Sequence, residues 1–134
     1  MIVVDTNVIH YCWVRGEHTE IAQAVRRKDP EWHAPILWRS ELRNVLTAYL
    51  RRGTLTRAQI ARILSVADQG LAEREHVIPD NLVLDVVASS TLTAYDAEFV
   101  ALAAALSVPL VTADKGVLKA FPERTLTMER FLGA

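Results

Sequence analysis

Short apolar runs, too brief to be helices, alternate along this chain with longer amphipathic stretches, and that alternation leaves few folds open. The first run, Ile2-Val3-Val4, meets Asp5, Thr6 and Asn7, which start a helix reaching about Arg15 with Gly16 as its stop. Residues 18–29 form an amphipathic helix with Ile21, Ala22 and Val25 at helical spacing, ended by Pro30. A second strand spans 33–37, its Pro35 suiting a strand end. Residues 39–53 read as a helix with Leu42, Val45, Leu46, Tyr49 and Leu50 on one stripe and Gly53 at its end. The next helix starts at Thr56 and stops at Gly70. A third strand at 75–79 leads to a helix or buried segment at 81–92 and an alanine-rich helix at 94–107. Residues 108–114 are a fourth strand closing on Asp114, 115–122 a short helix stopped by Pro122, and 124–128 a last edge strand. Short apolar strands alternating with helices require a parallel sheet covered on both faces. Ligands of such sheets lie beyond the carboxyl ends of the strands, at the switch in strand order. Asp5 and Asp114 both stand at such ends.

The 134 residues suffice for a single domain, 1–134. A chain of that size buries about two-thirds of its unfolded surface and needs no disulfide or structural metal. A 51% hydrophobic fraction and a mean hydropathy of +0.14 leave room for a large core or for surface reserved for another chain. Cys12 is the single cysteine, which excludes an internal disulfide and fits a reducing cytoplasm. Between Tyr11 and Trp13 it reads as packing rather than as a nucleophile. Asp5 interrupts the N-terminal apolar run, so no signal peptide is expected. No apolar stretch approaches the roughly 20 residues a spanning helix requires. The expectation is a cytoplasmic protein with no membrane segment.

Fifteen basic and sixteen acidic residues give a net charge of −1, whereas nucleic-acid binders are usually basic overall. Basic residues nevertheless cluster at 26–28, at Arg39 with Arg43, and at Arg51, Arg52 and Arg57. Acids gathered in one site would hide a basic rim in the total; each cluster also reads as a solvated helix face.

Asp5, Glu41, Asp96 and Asp114 each sit at or just inside a helix start, where an acid caps free N–H groups and complements the helix dipole. Thr93 and Asp96 even form a T-x-x-D capping pattern. As a set they imply more. Asp5 and Asp114 end strands at one sheet edge, and Glu41 lies early on the helix after the second strand. Asp96 reaches that edge only if its helix tilts or its start curls inward. Converging carboxylates either take raised pKa values or demand a counter-ion. Oxygen-only donors select a hard cation, Mg²⁺ or Mn²⁺, and such a centre suits phosphoryl chemistry. His10, His18, His33 and His76 are scattered, with no pair at the spacing of one helix face, and offer no rival metal site.

The stretches IVVDTNVI, LWRSELRNVL, LTAYDAEFVALA and PLVTADKGVLKAFP resemble, in order and spacing, the PIN-domain ribonucleases, and among them the VapC-type toxins of toxin–antitoxin pairs. The resemblance spans essentially the whole chain. It implies an α/β fold: a parallel sheet of about five strands in the order 3-2-1-4-5, with helices on both faces. It maps Asp5, Glu41, Asp96 and Asp114 onto the family's acidic quartet, with Mg²⁺ (or Mn²⁺) as cofactor. Asp5 and Asp96 would ligate the metal directly, Glu41 and Asp114 directly or through water. Asn7 would donate to a carboxylate, and the Thr112 hydroxyl would lie close to metal or phosphate. Thr6 reads as a cap or core residue.

The implied activity is metal-dependent hydrolysis of RNA phosphodiesters, leaving 5′-phosphate and 3′-hydroxyl ends. Arg39, Arg43 and Lys115 would hold flanking phosphates, or be ordinary surface. The implied partners are a small antitoxin and a second copy of the chain. Tyr11, Trp13, Leu37, Trp38, Leu46 and Leu50 are candidates for the antitoxin's groove, or core residues.

Other classes stay open. A receiver-like signalling domain would use Asp80 as phosphoacceptor, but it wants paired acids after the first strand, and Thr6 follows Asp5. A dehalogenase-type phosphatase would need a second acid where Asn7 stands. A non-catalytic interaction domain would leave all four acids as caps.

Overall fold

The computed structural model describes residues 1–133. The first apolar run forms β1 (Ile2–Val4), and Asp5 caps the following helix, α1 (Thr6–Trp13). Next come α2 (Thr19–Lys28), β2 (Trp32–Pro35), α3 (Trp38–Arg52), α4 (Arg57–Leu71) and β3 (Glu75–His76). The remaining elements are α5 (Asp80–Ala88), α6 (Ala94–Leu106), β4 (Leu110–Val111), α7 (Lys115–Ala120), β5 (Thr125–Leu126) and α8 (Met128–Phe131). The strands form one sheet in the order β3-β2-β1-β4-β5, and every pairing is parallel. The α/β architecture and strand order expected above are therefore present. Successive side chains of β1 point to opposite faces. All three are buried, so the central strand is covered on both sides.

Several boundaries differ from the sequence reading, each for a local reason. α1 ends at Trp13 because Val14 turns extended while its N–H still reaches the His10 carbonyl. β2 begins at Trp32 rather than His33, and Ile36 and Leu37 form the turn into α3. β3 is only two residues long, and Val77 beyond it is 82% exposed. The short α8 was not anticipated; Thr127 caps it by accepting from the Arg130 N–H.

Gly70 is not a helix stop. It lies inside α4, where a Cβ would sit 2.6 Å from Cζ2 of Trp13. That indole is itself wedged edge-on against Trp32 at 5.6 Å, with Arg26 at 5.2 Å over its face. The glycine permits close approach of α4 to Trp13. The residues considered for a partner groove also separate: Trp38 and Leu46 are buried in the core, whereas Leu50 is exposed.

Arg39 has a structural task. Its Nε and Nη2 donate to Glu75 at 2.6 and 2.7 Å, and Nη2 also donates to Asp68. Trp38 Nε1 donates to the same Glu75 at 2.7 Å. The start of α3 is thus pinned to β3 and to α4. Removing the guanidinium leaves the mostly buried Glu75 carboxylate with fewer donors. We expect Arg39→Ala to cost about 1–2 kcal/mol by urea unfolding, well above an ordinary surface charge deletion.

The histidines are less scattered than their spacing suggests. His33 Nδ1 and His76 Nε2, on adjacent strands, are 2.8 Å apart, and the Glu31 carboxylate is 3.1 Å from His33 Nε2. Two ring nitrogens sharing one hydrogen serve each other rather than an ion. Among the described residues, no helix is long and apolar enough to cross a membrane.

Candidate active site

The carboxyl ends of β1 and β4 adjoin because Val4 pairs with Val111, so the residues after them share one edge. Asp5 follows β1 and accepts from the Val8 N–H at 3.0 Å, capping α1. Asp114 caps α7 in the same way, accepting from the Val117 N–H at 3.0 Å. Between them stands Thr112, buried, whose hydroxyl donates to the Asp5 carboxylate and accepts from the Asp114 N–H at 3.0 Å. The capping explanation is therefore correct for Asp5 and Asp114, and incomplete.

Glu41 projects from the first turn of α3 and accepts from the Thr6 hydroxyl at 2.7 Å. Thr6, read from sequence as cap or core, thus fixes the orientation of a site carboxylate. Thr93, not Asp96, caps α6, its hydroxyl accepting from the Asp96 N–H at 3.1 Å. This frees the Asp96 side chain to turn inward from the first helical turn. Asp5, Glu41, Asp96 and Asp114 line one cavity of about 80 Å³ together with Thr6, Asn7 and Thr112. Phe99, Leu110 and Val117 supply its apolar wall.

Proximity is visible in the proton affinities. Burial pushes the Asp5 carboxyl up to about 6, and the charge of Asp114 adds to this against the hydrogen bonds that lower it. Glu41 is raised by burial and by Asp96, and Asp96 by burial and by Asp114. A fifth acid, Glu98, is raised by burial and by Glu41. It was not singled out in the sequence, and it does not line the cavity.

Among the described residues none of the four lining acids has an ion-pair partner. Nor do any three His, Cys, Asp or Glu side chains stand close enough to hold one ion as they are. The donor set itself, carboxylate and hydroxyl oxygens with no sulfur or nitrogen, fits a hard divalent cation.

The remaining sequence candidates fall at different distances from the cavity. Asn7 lines it but makes no hydrogen bond to a carboxylate among the described residues. Lys115 is exposed in a neighbouring cavity that shares Thr112. Arg43 lies in a separate hollow with Trp38, Leu64 and Asp68, and Arg39 is committed to Glu75 and Asp68. Asp80 opens α5 on the surface and does not line the acidic cavity.

Comparison with known proteins bears on the fold and the family. The crystal structure of PAE2754 from Pyrobaculum aerophilum superposes with a TM-score of 0.74 at 22% identity, covering 99% of this chain and 97% of that one. At that identity the likeness speaks for the fold. No curated protein matches the sequence. The family model described as PIN domain matches residues 2–123, nearly the whole length over which the strands and the acidic cavity are built. The chain belongs to the PIN domain family.

Proposed function

We propose that this protein is a divalent-metal-dependent endoribonuclease acting in the cytoplasm as the toxin of a toxin–antitoxin pair. PIN domains are nuclease folds, and the observation that carries the finer reading is the convergence of four unpaired carboxylates on one small cavity. Asp5 and Asp96 are assigned as direct ligands of Mg²⁺ or Mn²⁺, with Glu41 and Asp114 completing the shell directly or through water. Bound there, the cation would neutralise phosphate charge and lower the pKa of a coordinated water.

The chain's own residues do the rest. The Val8 N–H and the Thr112 hydroxyl hold Asp5 rigidly. Thr6 occupies Oε1 of Glu41, which leaves Oε2 to orient the attacking water and take its proton. Phe99, Leu110 and Val117 keep the wall dry and the field strong. Lys115, exposed in the neighbouring cavity that shares Thr112, is assigned to hold a flanking phosphate.

Beside the acids a second hollow of about 350 Å³ is lined by Thr6, Asn7, Leu37, Glu41, Val45 and Tyr95. Its apolar side chains adjoining Glu41 support a docking place for a segment of the antitoxin. A homodimer is proposed on the exposure of Leu84 on α5 and Tyr95 on α6, helices that pack on each other. Light scattering at micromolar concentration should return a dimer mass; a monomer would reject it.

The central test is RNA cleavage with Mg²⁺ or Mn²⁺. We expect EDTA and Asp96→Asn each to reduce cleavage by about a hundredfold or more, with new ends carrying 5′-phosphates. Cleavage surviving either would refute the mechanism.

A further inference from the structure

The acidic cavity is large enough for a phosphate and a few waters, since one water needs about 10–15 Å³. The bases of an RNA strand must therefore lie outside it. The adjoining cavity that shares Thr112 has about 310 Å³, the lower end of the range of small-ligand sites. Its wall carries Tyr11 and His18, whose rings are 4.6 Å apart and tilted by 48°. The two cavities meet at Thr112, which lines both. Leu118 and Met128 supply apolar edges. Lys115, exposed and without an ion-pair partner among the described residues, stands at one side, and Glu129 stands on α8.

We propose that this cavity is a nucleotide subsite that seats one base next to the scissile phosphate, an inference that rests on the ribonuclease reading. The exposed His18 ring and the Tyr11 face provide the stacking surface, because every base has a π-face. Lys115 takes the adjoining phosphate. Glu129 repels phosphate and accepts from base N–H groups, so it sets the orientation with the base toward α8. The hollow beside Glu41 is the alternative seat. It has Tyr95 and the polar side chains of Ser40 and Asn44, but no cationic side chain to balance a phosphate's charge.

Two measurements separate the subsite from the nuclease reading. Nucleoside 5′-monophosphates titrated into the ¹⁵N-labelled, metal-free protein should shift the amides of Tyr11, His18, Lys115 and Met128. His18→Ala and Lys115→Ala, both at exposed positions, should weaken that binding about tenfold, and Asp5→Asn should retain it. In cleavage of a randomised RNA, His18→Ala should raise KM about tenfold with kcat within twofold. It should also flatten the base preference at one position beside the cut. Shifts confined to the hollow around Tyr95, or an unchanged cleavage profile in His18→Ala, would overturn the subsite. Nucleotide binding here without any RNA cleavage by the wild type would instead overturn the ribonuclease reading.

Discussion

Asp5→Asn should abolish RNA cleavage, by about a thousandfold or more, while making the metal-free protein more stable at neutral pH. The two effects have one origin. The Asp5 carboxyl is raised from 3.8 to about 6, chiefly by burial, so folding favours its protonated form. The sign follows from linkage: an acid whose folded pKa is raised costs nothing below its unfolded pKa. The cost grows between pH 3.8 and 6 and is complete above that. Full conversion of the shift would give about 3 kcal/mol. Because Asp5 keeps partial contact with cavity solvent, we expect about 1–2 kcal/mol at pH 8. The Asn side chain can still accept from the Val8 N–H, so the cap survives the change. Urea unfolding in EDTA should show the variant ahead of wild type at pH 8 and level with it at pH 4. Saturating Mn²⁺ should then narrow the gap by stabilising only the wild type. A variant less stable than wild type at pH 8 in EDTA would contradict the buried-charge account.

Gly70→Ala should destabilise the fold, although alanine is the better helix former by about 1 kcal/mol. The added methyl would stand 2.6 Å from the Trp13 ring, which Trp32 and Arg26 hold from other sides. Overpacking of this kind costs about 1–3 kcal/mol; set against the helix gain, contacts this short put the net loss at up to about 2 kcal/mol. The check is a double-mutant cycle with Trp13→Leu. In that smaller background Gly70→Ala should become neutral or stabilising, giving a coupling of about 1–3 kcal/mol. A simple sum of the two single effects would show that Trp13 is not what the glycine accommodates.

Gly70 also marks where reading the sequence goes astray. A glycine after an amphipathic run is a fair helix-stop signal, and nothing near residue 70 reveals that Trp13 lies against it. The same holds for Arg39, visible as part of a basic cluster while its partners Glu75 and Asp68 lie far along the chain. The His33–His76 contact likewise joins residues 43 apart on strands that only the sheet brings together. What was legible depended on periodicity and position. Asp5 and Asp114 announce themselves as acids ending apolar strands, and the alternation of elements dictates the parallel sheet. Asp96 was the difficult member, because an acid in a T-x-x-D pattern already has a local purpose. The structure gives the cap to Thr93 and sends the Asp96 side chain into the cavity. Thr6 was under-read for the converse reason: a threonine at a helix start is common, and its partner Glu41 is 35 residues away.

The pairing of β1 with β4 has a consequence in time. Val3 and Val4 enter the sheet beside Leu110 and Val111, and Asp5 receives its hydroxyl from Thr112, 107 residues later. At about 5–20 residues per second, a ribosome takes roughly 5–20 s to cover that span. Throughout that interval the first strand lacks one neighbour and Asp5 lacks both Thr112 and Asp114. The nascent chain therefore completes the acidic cavity only when most of its length has been synthesised.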